Sequence, residues 1–173
     1  MLLNNKRIAI LVEADYQDLE LHYPRLRLIE EGAEILIVGS GAARRFTGKY
    51  GYPVDVTHDA GLVDAGVLDG VIIPGGWAPD RIRQYPAMVD LVRTLMRSGK
   101  TVGCICHGGW VLASAGVVEG RRLTSYIAIR DDLVNAGADW VDEEVVVDGN
   151  LITSRKPDDL PAFMRAVIAS LQR

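Results

Sequence analysis

The stretch Thr101-Val102-Gly103-Cys104-Ile105-Cys106-His107-Gly108-Gly109-Trp110-Val111-Leu112-Ala113 decides how the chain is read. It follows Gly99-Lys100, begins as a short apolar run and so predicts a buried strand. It then passes through Cys106-His107-Gly108 into a helical pattern that stops at Gly116. A strand turning sharply into a helix at one cysteine has the form of a nucleophile elbow, which lifts that side chain above the sheet. The helix start is expected to lower the thiol pKa, because unpaired N–H groups favour the thiolate. The ordinary alternative is that Cys106 is a small buried hydrophobe, as most free cysteines are. Local pattern leaves both readings open.

Outward from this stretch, apolar runs alternate with helical patterns. Arg7–Glu13, Glu34–Gly39 and Gly70–Pro74 read as strands. Pro86–Gly99 has apolar residues at helical spacing with proline at its first position. Asp18 is the expected N-cap of the first helix. Pro24 predicts a kink or restart in it, and Leu26, Leu28 and Ile29 its apolar face. Gly48–Pro53 suggests a hairpin returning through Val54–Val56, and Leu62–Leu68 a turn or short helix. Arg121–Thr124 could be a short strand, Ile129–Ala136 a helix, and Asp139–Val141 a further strand. Val145–Val147 turns at Asp148-Gly149-Asn150 into Leu151–Ser154, and Leu160–Leu171 closes the chain as an amphipathic helix. This alternation predicts a single-domain α/β protein spanning 1–173, with a doubly wound, mostly parallel sheet flanked by helices.

Composition narrows the function. The 173 residues are enough for one core without staples, and a net charge of −4 gives no footprint for nucleic acid. The two cysteines, one residue apart, cannot form a disulfide framework. No signal peptide and no membrane-length apolar run is apparent, so a cytoplasmic location is expected.

Ligands of doubly wound sheets sit outside the carboxyl ends of the strands. Three features are expected to meet there: the loop Ala14–Glu20, the Gly75-Gly76 turn and Cys106. A cysteine hydrolase needs a base and oxyanion donors. The backbone N–H groups of Gly76 and His107 can supply the donors. The histidines are His22, His58 and His107, none beyond position 107, so the His-x-Glu pair of a class I glutamine amidotransferase is lacking. His107 could reach substrate from the side if an acid orients it. Glu20, Asp15 and Asp80 are the available acids. Each residue also has an ordinary role: Glu20 as a first-turn acid, His107 as a capping or packing residue, Asp80 as the N-cap of a short helix over Arg81–Gln84. Cys104 reads as core.

Further segments carry a resemblance. Ala-Asp-Tyr-Gln-Asp-Leu-Glu-Leu-His-Tyr-Pro at 14–24, Pro-Gly-Gly-Trp-Ala-Pro-Asp-Arg at 74–81 and Cys-Ile-Cys-His-Gly-Gly at 104–109 resemble the ThiJ/PfpI superfamily. So do Thr-Ser-Tyr at 124–126, Ile-Arg-Asp-Asp-Leu at 129–133, the run 135–150 and Thr-Ser-Arg at 153–155. The match is to the PfpI-type intracellular peptidase and protein deglycase branch. The resemblance implies a flavodoxin-like fold, related to that of class I glutamine amidotransferases, and no cofactor or metal. It implies Cys106 as nucleophile, His107 as catalytic histidine, Glu20 as the acid against the sulfur, Gly76 and His107 as oxyanion hole and Tyr126 as a pocket residue. It also implies a homo-oligomer, dimer or hexamer, in which Asp80 completes a triad across an interface. Three departures stand out: Asp80 where relatives carry a longer glutamate, Gly109 where they carry proline, and Gln17 at a place acidic in some of them.

Three functions follow from this. The first is a cysteine-dependent hydrolase of peptide or small-molecule acyl substrates, intracellular-peptidase-like. The second is a deglycase or glyoxalase acting on methylglyoxal or glycated adducts, the chemistry better suited to a shallow site. The third is a non-catalytic stress or chaperone protein that senses oxidation at Cys106.

Overall fold

The computed structural model describes residues 1–173. In chain order the main elements are β1 (Arg7–Val12), α1 (Asp18–Glu30), β2 (Glu34–Gly39), β3 (Arg45–Thr47), β4 (Pro53–Asp55), β5 (His58–Asp59), β6 (Gly70–Ile73), α2 (Ala78–Ile82), α3 (Pro86–Arg97), β7 (Thr101–Ile105) and α4 (Gly109–Ala115). There follow β8 (Arg122–Leu123), α5 (Arg130–Asn135), β9 (Asp139–Trp140), β10 (Val145–Asp148), β11 (Leu151–Ser154) and α6 (Leu160–Leu171). A short 3₁₀ turn at Ala65–Val67 lies within the segment 62–68 read as a turn or short helix, and another at Ala60–Leu62 leads into it.

Seven strands form one sheet in the order β10-β11-β7-β6-β1-β2-β5. Every pairing in it is parallel except the β10–β11 hairpin. The predicted doubly wound α/β architecture is therefore the observed one. β1, β6 and β7 lie in the middle of the sheet and are buried almost throughout, which is why they read as unbroken apolar runs rather than alternating ones. After β1 the chain builds outward through β2, then returns to the other side of β1 for β6 and β7. That reversal opens a crevice at the carboxyl ends of β1 and β6, where such sheets bind ligands. Helix α6 buries Phe163, Met164, Val167, Ile168 and Leu171, a stripe at helical spacing packed on β7 and β11.

The first helix departs from expectation. Its N-cap is Gln17, whose side chain accepts the Glu20 N–H, and not Asp18. Asp18 is drawn away by a tertiary contact: its carboxylate accepts the N–H groups of Tyr50 and Tyr52 at 2.9 and 3.0 Å. Pro24 neither ends nor restarts α1. It sits buried inside one helix, alongside Leu21 and Leu28, whereas Leu26 and Ile29 face solvent. The predicted hairpin is present, with β3 and β4 paired antiparallel around the Gly48–Tyr52 turn. No helix is long and apolar enough to cross a membrane.

Candidate active site

Cys106 leaves β7 with φ +60°, in the left-handed region that a cysteine occupies only at a cost. A 3₁₀ turn over Cys106–Gly108 leads into α4, so the residue stands at the bend between strand and helix, as the elbow pattern predicts. The bend needs its neighbours small. A methyl group at Gly75 would lie 2.6 Å from Glu20 Oε2, 2.7 Å from Cys106 Cβ and 3.0 Å from its sulfur. Gly76 has φ +79° and abuts the backbone of Asp15, Tyr16 and Gln17, with Tyr16 and Gly76 paired in a β-bridge. The loop after β1 is thereby clamped onto the loop after β6, directly beside the elbow.

This clamp carries Glu20 to the sulfur. Glu20 is wholly buried, and its Oε2 accepts the Gly75 N–H at 2.7 Å. Its Oε1 is buried with no hydrogen-bond partner. Protonation would remove a charge that this buried oxygen has no donor to compensate. Burial accordingly pushes the Glu20 pKa up to about 7, against the pull of the Gly75 N–H and of the sulfur.

The thiol corrects one expectation. The helix start was expected to lower its pKa, but burial, followed by the negative charge of Glu20, pushes Cys106 up to about 12. The N–H groups of Gly76 and His107 pull the other way and are outweighed. The cause is geometric: the residue is only 7% exposed, and that loss of water outweighs what the backbone N–H groups return. A second negative charge in this space is disfavoured, so acid and thiol titrate as a pair.

His107 Nδ1 lies 3.3 Å from the sulfur. Its ring is boxed by Tyr126 (stacked, centroids 5.0 Å), Trp110 (5.2 Å) and Trp77 (5.5 Å). Burial, and then the Lys49 charge, lower its pKa, so the neutral imidazole is favoured at neutral pH. Tyr126 is tied to the elbow from below, its N–H donating to the Cys106 carbonyl at 3.2 Å.

These groups open onto a cleft of about 370 Å³ lined by Gln17, Glu20, Gly76, Cys106, His107 and Tyr126, with Lys49, Tyr50, Trp77, Ala128, Lys156 and Pro157 at its sides. Of the residues named from sequence, Glu20, Gly76, Cys106, His107 and Tyr126 thus converge. Asp80 does not join them within one chain: it lies inside α2 rather than at its N-cap, exposed and outside the cleft. Cys104 is buried core, as expected. Sequence reasoning missed Lys49, Trp77 and Lys156. Trp77 directly follows the Gly-Gly turn and could have been noticed. Lys49 has no local signal, because only the folded β3–β4 turn brings it over the site.

Comparison with known proteins gives the family. The DJ-1/PfpI family matches residues 6–170. A deglycase of Pyrococcus abyssi is 47% identical over 166 residues, covering 96% of this chain and 99% of that protein. Deglycase PfpI of Pyrococcus furiosus is 46% identical with the same coverage. Among solved structures, a two-domain protein from Anabaena variabilis containing DJ-1/ThiJ/PfpI-like and ferritin-like domains superposes with a TM-score of 0.93 at 41% identity. That match covers 95% of this chain and spans 47% of the two-domain one. On sequence and fold together, the chain belongs to the DJ-1/PfpI family.

Proposed function

We propose that this chain is a cysteine-dependent enzyme whose Cys106 sulfur attacks a carbonyl carbon, and that its substrates are carbonyl adducts of the deglycase type. The observation that carries the reading is the buried Glu20 carboxyl facing the Cys106 sulfur, with Oε2 fixed by the Gly75 N–H. A buried acid and thiol that share one proton can pass it from sulfur to carboxyl. The result is a thiolate beside a neutral acid, so the pocket holds one charge and not two. In the attack a sulfur–carbon bond forms and the carbonyl electron pair moves onto oxygen. The Gly76 and His107 N–H groups, which both point to the Cys106 sulfur, would receive that oxygen. Neutral His107, at 3.3 Å from the sulfur, can hand protons to and from the departing group.

This first step is common to peptide hydrolysis and to adduct removal. The relatives named deglycases favour the second, and so does a half-open cleft of about 370 Å³, which suits a small group better than an extended peptide. The test sets methylglyoxal adducts of N-acetylcysteine against fluorogenic peptides, with wild type and Cys106→Ser. Release of free thiol that disappears in Cys106→Ser supports the reading. Peptide turnover alone would establish the peptidase instead, and equal activity in Cys106→Ser would remove Cys106 from the chemistry.

Within the same reading the working form is a homo-oligomer, in which Asp80, exposed on α2, reaches the His107 of a neighbouring copy. Asp80→Ala should then lower turnover by about tenfold or more while leaving sedimentation behaviour and thermal stability unchanged. Full activity in this variant would dismiss the shared triad.

A further inference from the structure

The sides of the cleft bear a charge that the proton-transfer chemistry does not use. Lys49 sits at the tip of the β3–β4 hairpin, and that tip is held rather than free. The Lys49 N–H donates to Tyr16 O at 2.9 Å and Gly48 N–H to Tyr52 O at 2.9 Å. The buried Asp18 carboxylate takes the N–H groups of Tyr50 and Tyr52, and Tyr16 Oη donates to Tyr52 O. The ammonium lies over Trp77, 5.3 Å from the ring centre, and 5.9 Å from the Tyr50 ring. Both rings line the same cleft as Cys106.

No carboxylate answers this cation. Asp15 pairs with Arg81, Asp18 is spent on backbone N–H groups, and Asp158 pairs with Lys156. Glu20 is the acid in the cleft, and it is buried beneath the sulfur with its pKa near neutrality. The chain carries a net charge of −4, and yet Lys49 stands at this opening without a carboxylate partner, in the same cleft as Lys156, which pairs with Asp158. The Lys49 charge is also felt at both Glu20 and His107, so it acts within range of the reacting atoms.

We propose that Lys49 is a specificity residue of this cleft, selecting adducts that carry a free carboxylate, as on a free amino acid or a C-terminal residue, over the same adducts on neutral amides. The proposal rests on the deglycase reading, from which it takes the reacting group. A carboxylate meeting an exposed, preoriented ammonium gains a modest charge-assisted hydrogen bond, which salt weakens.

The test compares kcat/KM for the methylglyoxal adducts of N-acetylcysteine and of N-acetylcysteine amide within each variant. Effects of Lys49 on the Glu20 and His107 pKa values then cancel in the ratio. Wild type should prefer the carboxylate about fivefold at low salt, with the ratio shrinking in roughly 0.5 M salt. Lys49→Met should bring the ratio close to one and Lys49→Arg should keep it. A wild-type ratio near one, or a ratio unchanged in Lys49→Met, overturns the proposal. If neither adduct is turned over, the deglycase reading fails, and binding decides the proposal separately. N-acetylalanine and N-acetylalanine amide are titrated against Cys106→Ser by tryptophan fluorescence, with Trp77 as the reporter. Tighter carboxylate binding that is lost on adding Lys49→Met supports the assignment, and equal binding of the two probes rejects it.

Discussion

Replacing Glu20 by glutamine tests the site's electrostatics without touching its sulfur. In the folded chain Glu20 is wholly buried, and its pKa moves from the ordinary 4.5 to about 7. Between those values the folded state holds a proton that the unfolded chain has released, so stability falls as pH rises. The stabilising contribution is complete below about pH 4.5 and gone once pH passes the folded value near 7. At 1.36 kcal/mol for each pH unit between the two values, wild type loses about 3 kcal/mol over this interval from this one group. Glutamine keeps an oxygen for the Gly75 N–H and cannot ionise, so the variant lacks that loss. Urea unfolding of both proteins in parallel, from pH 4.5 to pH 8, isolates the effect as a difference, since the other carboxylates titrate alike in both. The variant should gain on wild type by about 3 kcal/mol across the range. Activity should move in the opposite direction. Wild-type kcat/KM should climb through about pH 7, as the acid–thiol pair sheds one of its two protons, and that limb should vanish from Glu20→Gln along with most of the turnover. A stability difference between the two proteins that stays flat from pH 4.5 to pH 8 would refute the buried, proton-holding carboxyl and the shared-proton mechanism with it.

Other substitutions probe the same few ångströms. Gly75→Ala puts a methyl within 2.6 to 3.0 Å of Glu20 Oε2 and the Cys106 Cβ and sulfur, so it should cost about 1–3 kcal/mol by thermal or urea unfolding and push the acid from the thiol. Its kcat should fall further than its KM rises. The Cys106→Ser, Asp80→Ala and Lys49→Met experiments set out above read nucleophile, partner subunit and substrate charge in turn.

The fold was legible where one short-range signal dominates. β1, β6 and β7 are buried on both faces, so their apolar runs announce them directly, and Pro86 and Gly99 frame α3 for local steric reasons. Cys106 and Gly76 could be read for the same reason: a bend and a close backbone approach constrain the residues that form them. Misreadings arose where a distant segment reassigns a side chain. Asp18 has every local mark of a cap, yet the hairpin at Gly48–Tyr52 claims its carboxylate and Gln17 caps instead. Pro24 has the local mark of a restart, yet it lies buried inside the single helix α1. The thiol pKa failed similarly, because a helix start is visible in sequence and the desolvation that outweighs it is not. Glu20 could be placed near the sulfur, but not its orphaned Oε1. Asp80 remains apart from the cleft in the single chain, so the role proposed for it needs a second copy.

The left-handed backbone at Cys106 also sets a cost against the residue that stands there. Asn5 and Asp15 share that conformation, but their short polar side chains tolerate it, whereas a thiol gains nothing locally from it. Glycine would occupy the bend at no steric penalty, so drift under stability alone would favour losing the side chain there. A sulfur at such a position, with no thermodynamic return, fits the chemistry proposed for it, in what the atom would do rather than in how firmly the molecule holds together.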